Sequence, residues 1–300
     1  MHKRPGKSPR IARSPQAPQT PHAARPTHWA EVADWYDALI GDEGSEYHRE
    51  VIIPGILRML DSRASKLETR NSKLETSLAI LDLACGQGVL CRKLAQLGHR
   101  VTGLDAAAPL IAAAQKRNPA DHLPIRYALA DATKLRDEKG TFAAGLAPQS
   151  FDAITLVLAI QNLTPLSPVW HACHALLKPN GMLIVVLMHP CFRIPRQSDW
   201  HWDNAAATQS RLVRQYLTSS SIPIQTHPGL AAHGKDASAT THFHRPLQAY
   251  INTLGNAGLL LDHIEEWPSH KKSQPGPRQV ALDRARKEIP MFLALRARRT

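Results

Sequence analysis

Apolar positions along the chain change rhythm several times, and each change marks an element. From Trp29 to about Leu60 they recur at helical spacing, broken by the loop signal Gly41 to Ser45, so two helical pieces are predicted. Beyond residue 78, near-continuous apolar runs take turns with helical patterns. The runs Ala79 to Leu83, Arg100 to Leu104, Ile125 to Ala130, Ala153 to Leu158 and Met182 to Met188 read as strands. Val89 to Leu97, Pro109 to Arg117 and Val169 to Leu177 read as the helices between them. Strands apolar on both faces and separated by helices imply a parallel sheet covered on both sides, a doubly wound α/β fold. Further on, Pro246 to Ala257 reads as a helix, and Leu259 to Glu265 and Met291 to Ala297 as strands around a polar KKSQPGPR loop.

Three stretches break the rhythm. Residues 1 to 28 hold six prolines and few large apolar side chains, too little to repay the entropy of folding, and are expected to be a disordered basic tail. Its acid-free start is like a transit peptide, but the prolines spoil an amphipathic helix. Ser65 to Asn71 (SKLETRN) and Ser72 to Leu78 (SKLETSL) form a seven-residue repeat, whose two copies are too few for a solenoid. It reads as a polar linker. Residues from Pro190 to about His244 scatter Trp, Arg, His and small residues, and are expected to form an insertion over the site, mobile around Gln225 to Thr241.

Composition narrows the classes. The formal charge is +12, from 37 Lys/Arg against 25 Asp/Glu. Six of those bases lie in residues 1 to 28 with no acid, and nine lie in residues 271 to 300 against Asp283 and Glu288, so the stretch between is close to neutral. No apolar run approaches the roughly 20 residues of a membrane span. Four cysteines in a long chain do not make a disulfide framework, and no apolar signal segment follows Met1, so a cytoplasmic location is expected.

The chemistry concentrates where Ile80-Leu81-Asp82-Leu83 runs into Ala84-Cys85-Gly86-Gln87-Gly88 and a helix opens at Val89. A glycine turn there lets a ligand approach the backbone, and a helix N-terminus favours negative groups. The dinucleotide fingerprint needs a third small residue where Cys91 stands, which argues against a nicotinamide cofactor.

The segment Asp82 to Gly88 resembles the D/E-x-G-x-G-x-G motif of class I S-adenosylmethionine-dependent methyltransferases, with Ala84 for the first glycine. Four further landmarks follow in the family's order: Asp105 ending a strand, Ala130-Asp131-Ala132 ending the next, the Phe151-Asp152 strand, and Leu176-Leu177-Lys178-Pro179-Asn180-Gly181 before the fifth. Ala33-Asp34-Trp35-Tyr36-Asp37 is similar to an N-terminal stretch that closes over the cofactor in small-molecule members. His244-Arg245-Pro246-Leu247, Tyr250 and Ala257-Gly258-Leu259 resemble a C-terminal helix and hairpin.

The resemblance implies a Rossmann-like doubly wound sheet, mostly parallel with an antiparallel C-terminal strand, plus N-terminal helices and an insertion after strand 5. One domain would span 29–300: cap helices (29–62), the repeat linker (63–78), a cofactor-binding core (79–190), a lid insertion (191–245), and the C-terminal helix and hairpin (246–300). It implies S-adenosyl-L-methionine as cofactor, held by Tyr36, Asp82, Ala84, Cys85, Gly86, Gln87, Gly88, Asp105, Ala106, Asp131, Ala132, Val157 and Leu158. Asp105 would grip the ribose hydroxyls and Asp131 the adenine amino group; a carboxylate meets a vicinal diol with two acceptors.

Methyl transfer to an O, N or C atom of a small molecule is the activity expected. His189, just past the fifth strand, is read either as a general base or as a hydrogen-bonded structural histidine. His48, Gln161, Trp200 and Trp202 are the expected acceptor pocket. His171, Cys173 and His174 with His189 and Cys191 do not converge as metal ligands, because Cys173 leaves the face that the two helix histidines share, so no metal is expected. An RNA-directed methyltransferase or a nucleic-acid binder using the basic tail is the alternative; the neutral core and the Leu156-Val157-Leu158-Ala159 strand end speak against it. The sequence does not reach the oligomeric state.

Overall fold

The computed structural model describes residues 29–61, 77–118, 122–225 and 239–300. The basic tail, most of the repeat linker and the middle of the 225–241 segment lie outside the described residues. The α-helices are α1 (Ala33–Ile40), α2 (Ile53–Asp61), α3 (Val89–Gln96), α4 (Ala108–Lys116), α5 (Leu166–Leu176), α6 (Leu247–Asn256) and α7 (Gln279–Glu288). A π-turn, His48–Ile52, leads into α2.

The central sheet contains β1 (Ala79–Leu83), β2 (Arg100–Asp105), β3 (Ile125–Leu129), β4 (Phe151–Val157) and β5 (Leu177–Met188). Two hairpins follow, β6 (Ser198–Asp203) with β7 (Thr208–Val213) and β8 (Ser220–Gln225) with β9 (Ala239–His244); β10 (Leu259–Trp267) and β11 (Phe292–Arg299) complete the large sheet. Its order is β10-β11-β5-β4-β1-β2-β3. β1 to β5 pair in parallel, and β11 runs antiparallel between β5 and β10. This is the mostly parallel sheet with an antiparallel C-terminal strand that the resemblance implied.

Strand alternation sends side chains into two separate cores even where every residue is buried. Leu81 and Leu83 of β1, Leu183, Val185 and Leu187 of β5, and Leu293, Leu295 and Ala297 of β11 share one core with α5 and α6. Ile80, Met182, Ile184, Val186 and Ala294 point into the other, with α2 and α3. A period of two is thus hidden inside runs that read as uniformly apolar. Trp170 is fully buried in the first core, and its indole N–H donates to Thr253 Oγ1 at 3.0 Å. In the second, α2 approaches β10 through Gly55, where a Cβ would sit 2.2 Å from the Trp267 ring.

Two elements differ from the sequence reading. Residues 191–245, read from sequence only as an insertion without α/β rhythm, hold two regular hairpins. The helix α7 follows the polar loop and was not expected. Of its ten residues only Ala285 is buried, so no apolar face announces it.

Candidate active site

The turn after β1 leaves the strand with three left-handed residues in five, Ala84 (φ 58°), Gly86 (φ 56°) and Gly88 (φ 79°). Alanine tolerates that conformation at a cost of roughly 1–2 kcal/mol, so the Ala84 departure from the motif keeps the turn. The Cys85 N–H donates to Leu104 O at 2.9 Å, and the Gly86 N–H to Asp105 Oδ2 at 2.8 Å. Asp105 Oδ1 accepts from the Ala107 N–H at 2.9 Å. One buried carboxylate therefore ties the two loops together. Burial pushes its pKa up against these backbone donors. The Ala106 N–H acts on it as well, and the carboxylate keeps part of its accepting capacity for a ligand.

The N-terminal cap lies directly on this turn. A Cβ at Gly86 would come 3.2 Å from Tyr36 Cε1, so only glycine admits the ring at its present height. Trp29 meets Tyr36 edge-on at 5.5 Å. Burial, then the negative field of Asp105 and Asp82, raises the Tyr36 pKa, and the phenol stays protonated. A polar clasp secures the cap: Arg117 pairs with Asp37 at 2.8 Å and Asp42 at 2.7 Å, Arg92 donates to Asp42 O and Gln87 O at 2.7 Å each, and the Gln87 amide donates to Gly41 O. Gln87 was expected to bind the cofactor, and its side chain holds the cap instead.

Asp82 also departs from expectation. Thr155 Oγ1 donates to its Oδ1 at 2.7 Å and the Cys91 thiol to its Oδ2 at 3.3 Å, and the residue is 3% exposed. Both oxygens are engaged inside the protein, joining β1 to β4 and α3, so that Asp82 supports the turn from beneath. At the next strand end Asp131 caps a short 3-10 turn, Ala132–Lys134, with Oδ1 accepting from the Thr133 N–H at 2.8 Å. Its Oδ2, 3.8 Å from Lys134 Nζ, remains on an accessible side chain. Ala106 is exposed beside Asp105, Ala132 is buried beside Asp131, and Cys85 is partly buried in the turn.

On the other side of the switch from β4, Val157 and Leu158 pack with Met188 and Tyr47 against the second core. Gln161 follows at 8% exposure; its Nε2 donates to Leu158 O at 2.7 Å, and its buried Oε1 has no partner. His48 lies beside Gly44 near the start of α3, since a Cβ at Gly44 would meet His48 Cβ at 2.8 Å and Val89 Cγ1 at 3.1 Å. His48 Nδ1 is bonded to Ser45 Oγ at 2.8 Å, and burial lowers its pKa.

His189 is not placed as a base. Its Nε2 bonds Glu266 Oε1 at 2.7 Å, and its Nδ1 accepts from the Cys191 N–H at 3.2 Å. Both nitrogens are engaged, Nε2 across to β10 and Nδ1 with the adjacent backbone, which favours the structural alternative. Trp202 is likewise a packing residue: its N–H donates to Asn204 Oδ1 at 3.1 Å, and Arg278, at the start of α7, covers its ring at 4.5 Å. Arg193 and Arg211 each lie 5.1 Å from the centre of the Trp200 ring. The sequence reading missed Tyr47, Arg193, Arg211 and the clasp arginines. A helix-face aromatic and arginines in an aperiodic stretch carry no motif that would have marked them. Among the described residues no group of three His, Cys, Asp or Glu could hold a metal ion.

A family model described as a methyltransferase domain matches residues 81–185. A ubiquinone biosynthesis O-methyltransferase of Rhodopseudomonas palustris is 32% identical over 115 residues, which cover 38% of this chain and 41% of that protein. One from Bradyrhizobium diazoefficiens is 27% identical over 154 residues, 51% of this chain and 56% of its own length. The chain thus spans about two to three fifths of the curated relatives it matches. A crystal structure of an S-adenosylmethionine-dependent methyltransferase from Mesorhizobium loti superposes with a TM-score of 0.58 at 26% identity, covering 82% of this chain and all of that one. Over residues 81–185 the chain matches a methyltransferase domain, and its fold is similar to that of an S-adenosylmethionine-dependent methyltransferase.

Proposed function

We propose that the protein transfers a methyl group from S-adenosylmethionine to a small-molecule acceptor. The single observation that carries this is the Asp105 carboxylate, buried at a strand end, bonded to the glycine turn and covered by Tyr36. Two acids end β2 and follow β3, at the carboxyl edge where α/β sheets bind ligands. Asp105 would hold the ribose hydroxyls with its remaining lone pairs, Asp131 Oδ2 the adenine amino group, and the Gly86 peptide with Tyr36 the methionine part. When bound, the cofactor supplies an electrophilic methyl on a sulfonium.

The protein's share of the work is alignment and dryness. Val157 and Leu158 provide apolar walls beside the transfer path, and the Gln161 Oε1 accepts from an acceptor's O–H or N–H. With His189 engaged on both sides, His48 is the better proton acceptor. If its Nδ1–H donates to Ser45, Nε2 is left free, and burial keeps the ring neutral. The curated relatives are named as O-methyltransferases, which supports an oxygen acceptor.

Calorimetric titration with S-adenosylhomocysteine tests the assignment. Binding by the wild type and a loss of about 100-fold in Asp105→Ala are expected, the scale of two charge-assisted hydrogen bonds. Absence of binding, or equal binding by the variant, removes the reading. His48→Gln should lower turnover while leaving that affinity in place.

A further inference from the structure

The insertion holds two guanidinium groups against one indole. Arg193, just past β5, and Arg211, on β7, each lie 5.1 Å from the centre of the Trp200 ring. Arg193 spends Nε and Nη2 on the carbonyls of Pro290 and Ile289, at 3.3 and 3.5 Å. Arg211 spends Nε on Phe192 O and Nη2 on Ser198 Oγ, both at 2.8 Å. The backbone pins both groups, and among the described residues neither Nη1 has a hydrogen-bond partner.

Among the described residues the charges are also uncompensated: no carboxylate there comes within ion-pair distance of either arginine. Asp199 acts on Arg211 only from farther away, and its Oδ1 accepts the Trp200 N–H at 2.9 Å. Burial, then the charge of Arg211, pushes Arg193 down to about 10, with Arg286 adding in the same direction. Two half-buried like charges held beside one ring are costly unless a counter-charge arrives. Part of the positive excess counted in residues 271 to 300 gathers here too, through Arg286 and through Arg278 over Trp202.

The location ties this pair to the acceptor. Arg193 is within electrostatic reach of Tyr47, whose ring meets Phe292 edge-on at 5.6 Å opposite Met188. Tyr47, Met188, Val157 and Leu158 pack on the same core cluster, at the strand end where the transferred methyl should emerge. We infer that Arg193 and Arg211, both against Trp200, form a subsite for an oxyanion carried by the methyl acceptor, so that the substrate class is an anionic small molecule bearing a carboxylate or a phosphate. The Nη1 group of each arginine supplies the donors, and planar guanidinium donors match the oxygens of either anion. The inference rests on the proposed methyl transfer for the meaning of the subsite, though not for the binding itself.

The test is calorimetric titration of the full-length protein with sodium benzoate, benzamide and inorganic phosphate at constant ionic strength, with and without S-adenosylhomocysteine. Benzoate or phosphate should bind and neutral benzamide should not; benzoate alone marks a carboxylate site, phosphate alone a phosphate site. Arg193→Gln should weaken that binding by roughly tenfold, the scale of one lost charged hydrogen bond. Arg193→Lys should keep part of it, with the thermal midpoint and S-adenosylhomocysteine affinity near wild type. Arg211→Gln should act in the same direction, with the midpoint as a check on the hairpin. No anion binding by the wild type, or equal binding by Arg193→Gln and Arg211→Gln, overturns the inference. Failure of S-adenosylhomocysteine to bind sinks the methyltransferase reading instead, and the anion titration without it still decides the subsite.

Discussion

The sheet core and the insertion are built on different principles. In β1 all five residues are buried, and in β5 the run from Met182 to Leu187 is buried without a break, so nearly every side chain is dictated by packing on one of two cores. In β6 and β7 only alternate residues are even partly covered, and what holds them is guanidinium on indole: Arg193 and Arg211 on Trp200, Arg278 on Trp202. The core is specified by shape and the insertion by placed charge. A cofactor shared by many proteins calls for the first, and the anion subsite inferred above would draw on the second.

Substitutions that separate the two mechanisms should differ in size. Trp170→Ala empties the largest fully buried side chain in the α5–α6 core and should cost about 3–5 kcal/mol in urea unfolding. A loss below 1 kcal/mol would mean that this core carries less than its burial suggests.

Asp82 gives a pH-dependent case inside the core. Burial pushes its carboxyl up to about 6 from 3.8. A raised carboxyl imposes no penalty below pH 4, and stability is lost as pH rises through about 6. At neutral pH the charged form then costs about 3 kcal/mol, an order-of-magnitude figure. Asp82→Asn keeps an acceptor for Thr155, and its stability relative to wild type should rise between pH 4 and pH 7. Parallel unfolding curves across that range would refute the burial of the charge.

At the small end, Trp202→Ala removes one cation–π contact and partial cover, and should cost about 1 kcal/mol or less. A thermal midpoint falling as far as that of Trp170→Ala would erase the distinction between the two regions.

The same contrast explains what was legible in the sequence. β1, β2 and β4 were readable because burial on both faces forces apolar runs, and Asp105 because the strand–turn–helix pattern fixes where an acid must stand. Asp82 shared that motif, yet its orientation depends on Thr155, 73 residues away in the chain, which no local pattern encodes. The Gln87 clasp depends on Gly41 and Asp42 in the same way. Helix α7 and the hairpins β6 to β9 were illegible because half-exposed strands and an exposed helix need no apolar period. His189 was open to two readings by position, and the bond from β10's Glu266 that favours the structural one joins residues 77 apart.

The place of β11 between β5 and β10 has a consequence for synthesis. β10 reaches the sheet only through β11, although it leaves the ribosome first. Until residues 292–299 emerge, β5 presents an open edge of buried-type side chains, and Trp267, Asp262 and Glu266 have no settled place. Such an unpaired apolar edge is a template for pairing with other chains. Nascent chains stalled within α7 should therefore depend more on chaperones than finished ones, although the cofactor turn, β1 to β5 and every strand-end acid would already have been made.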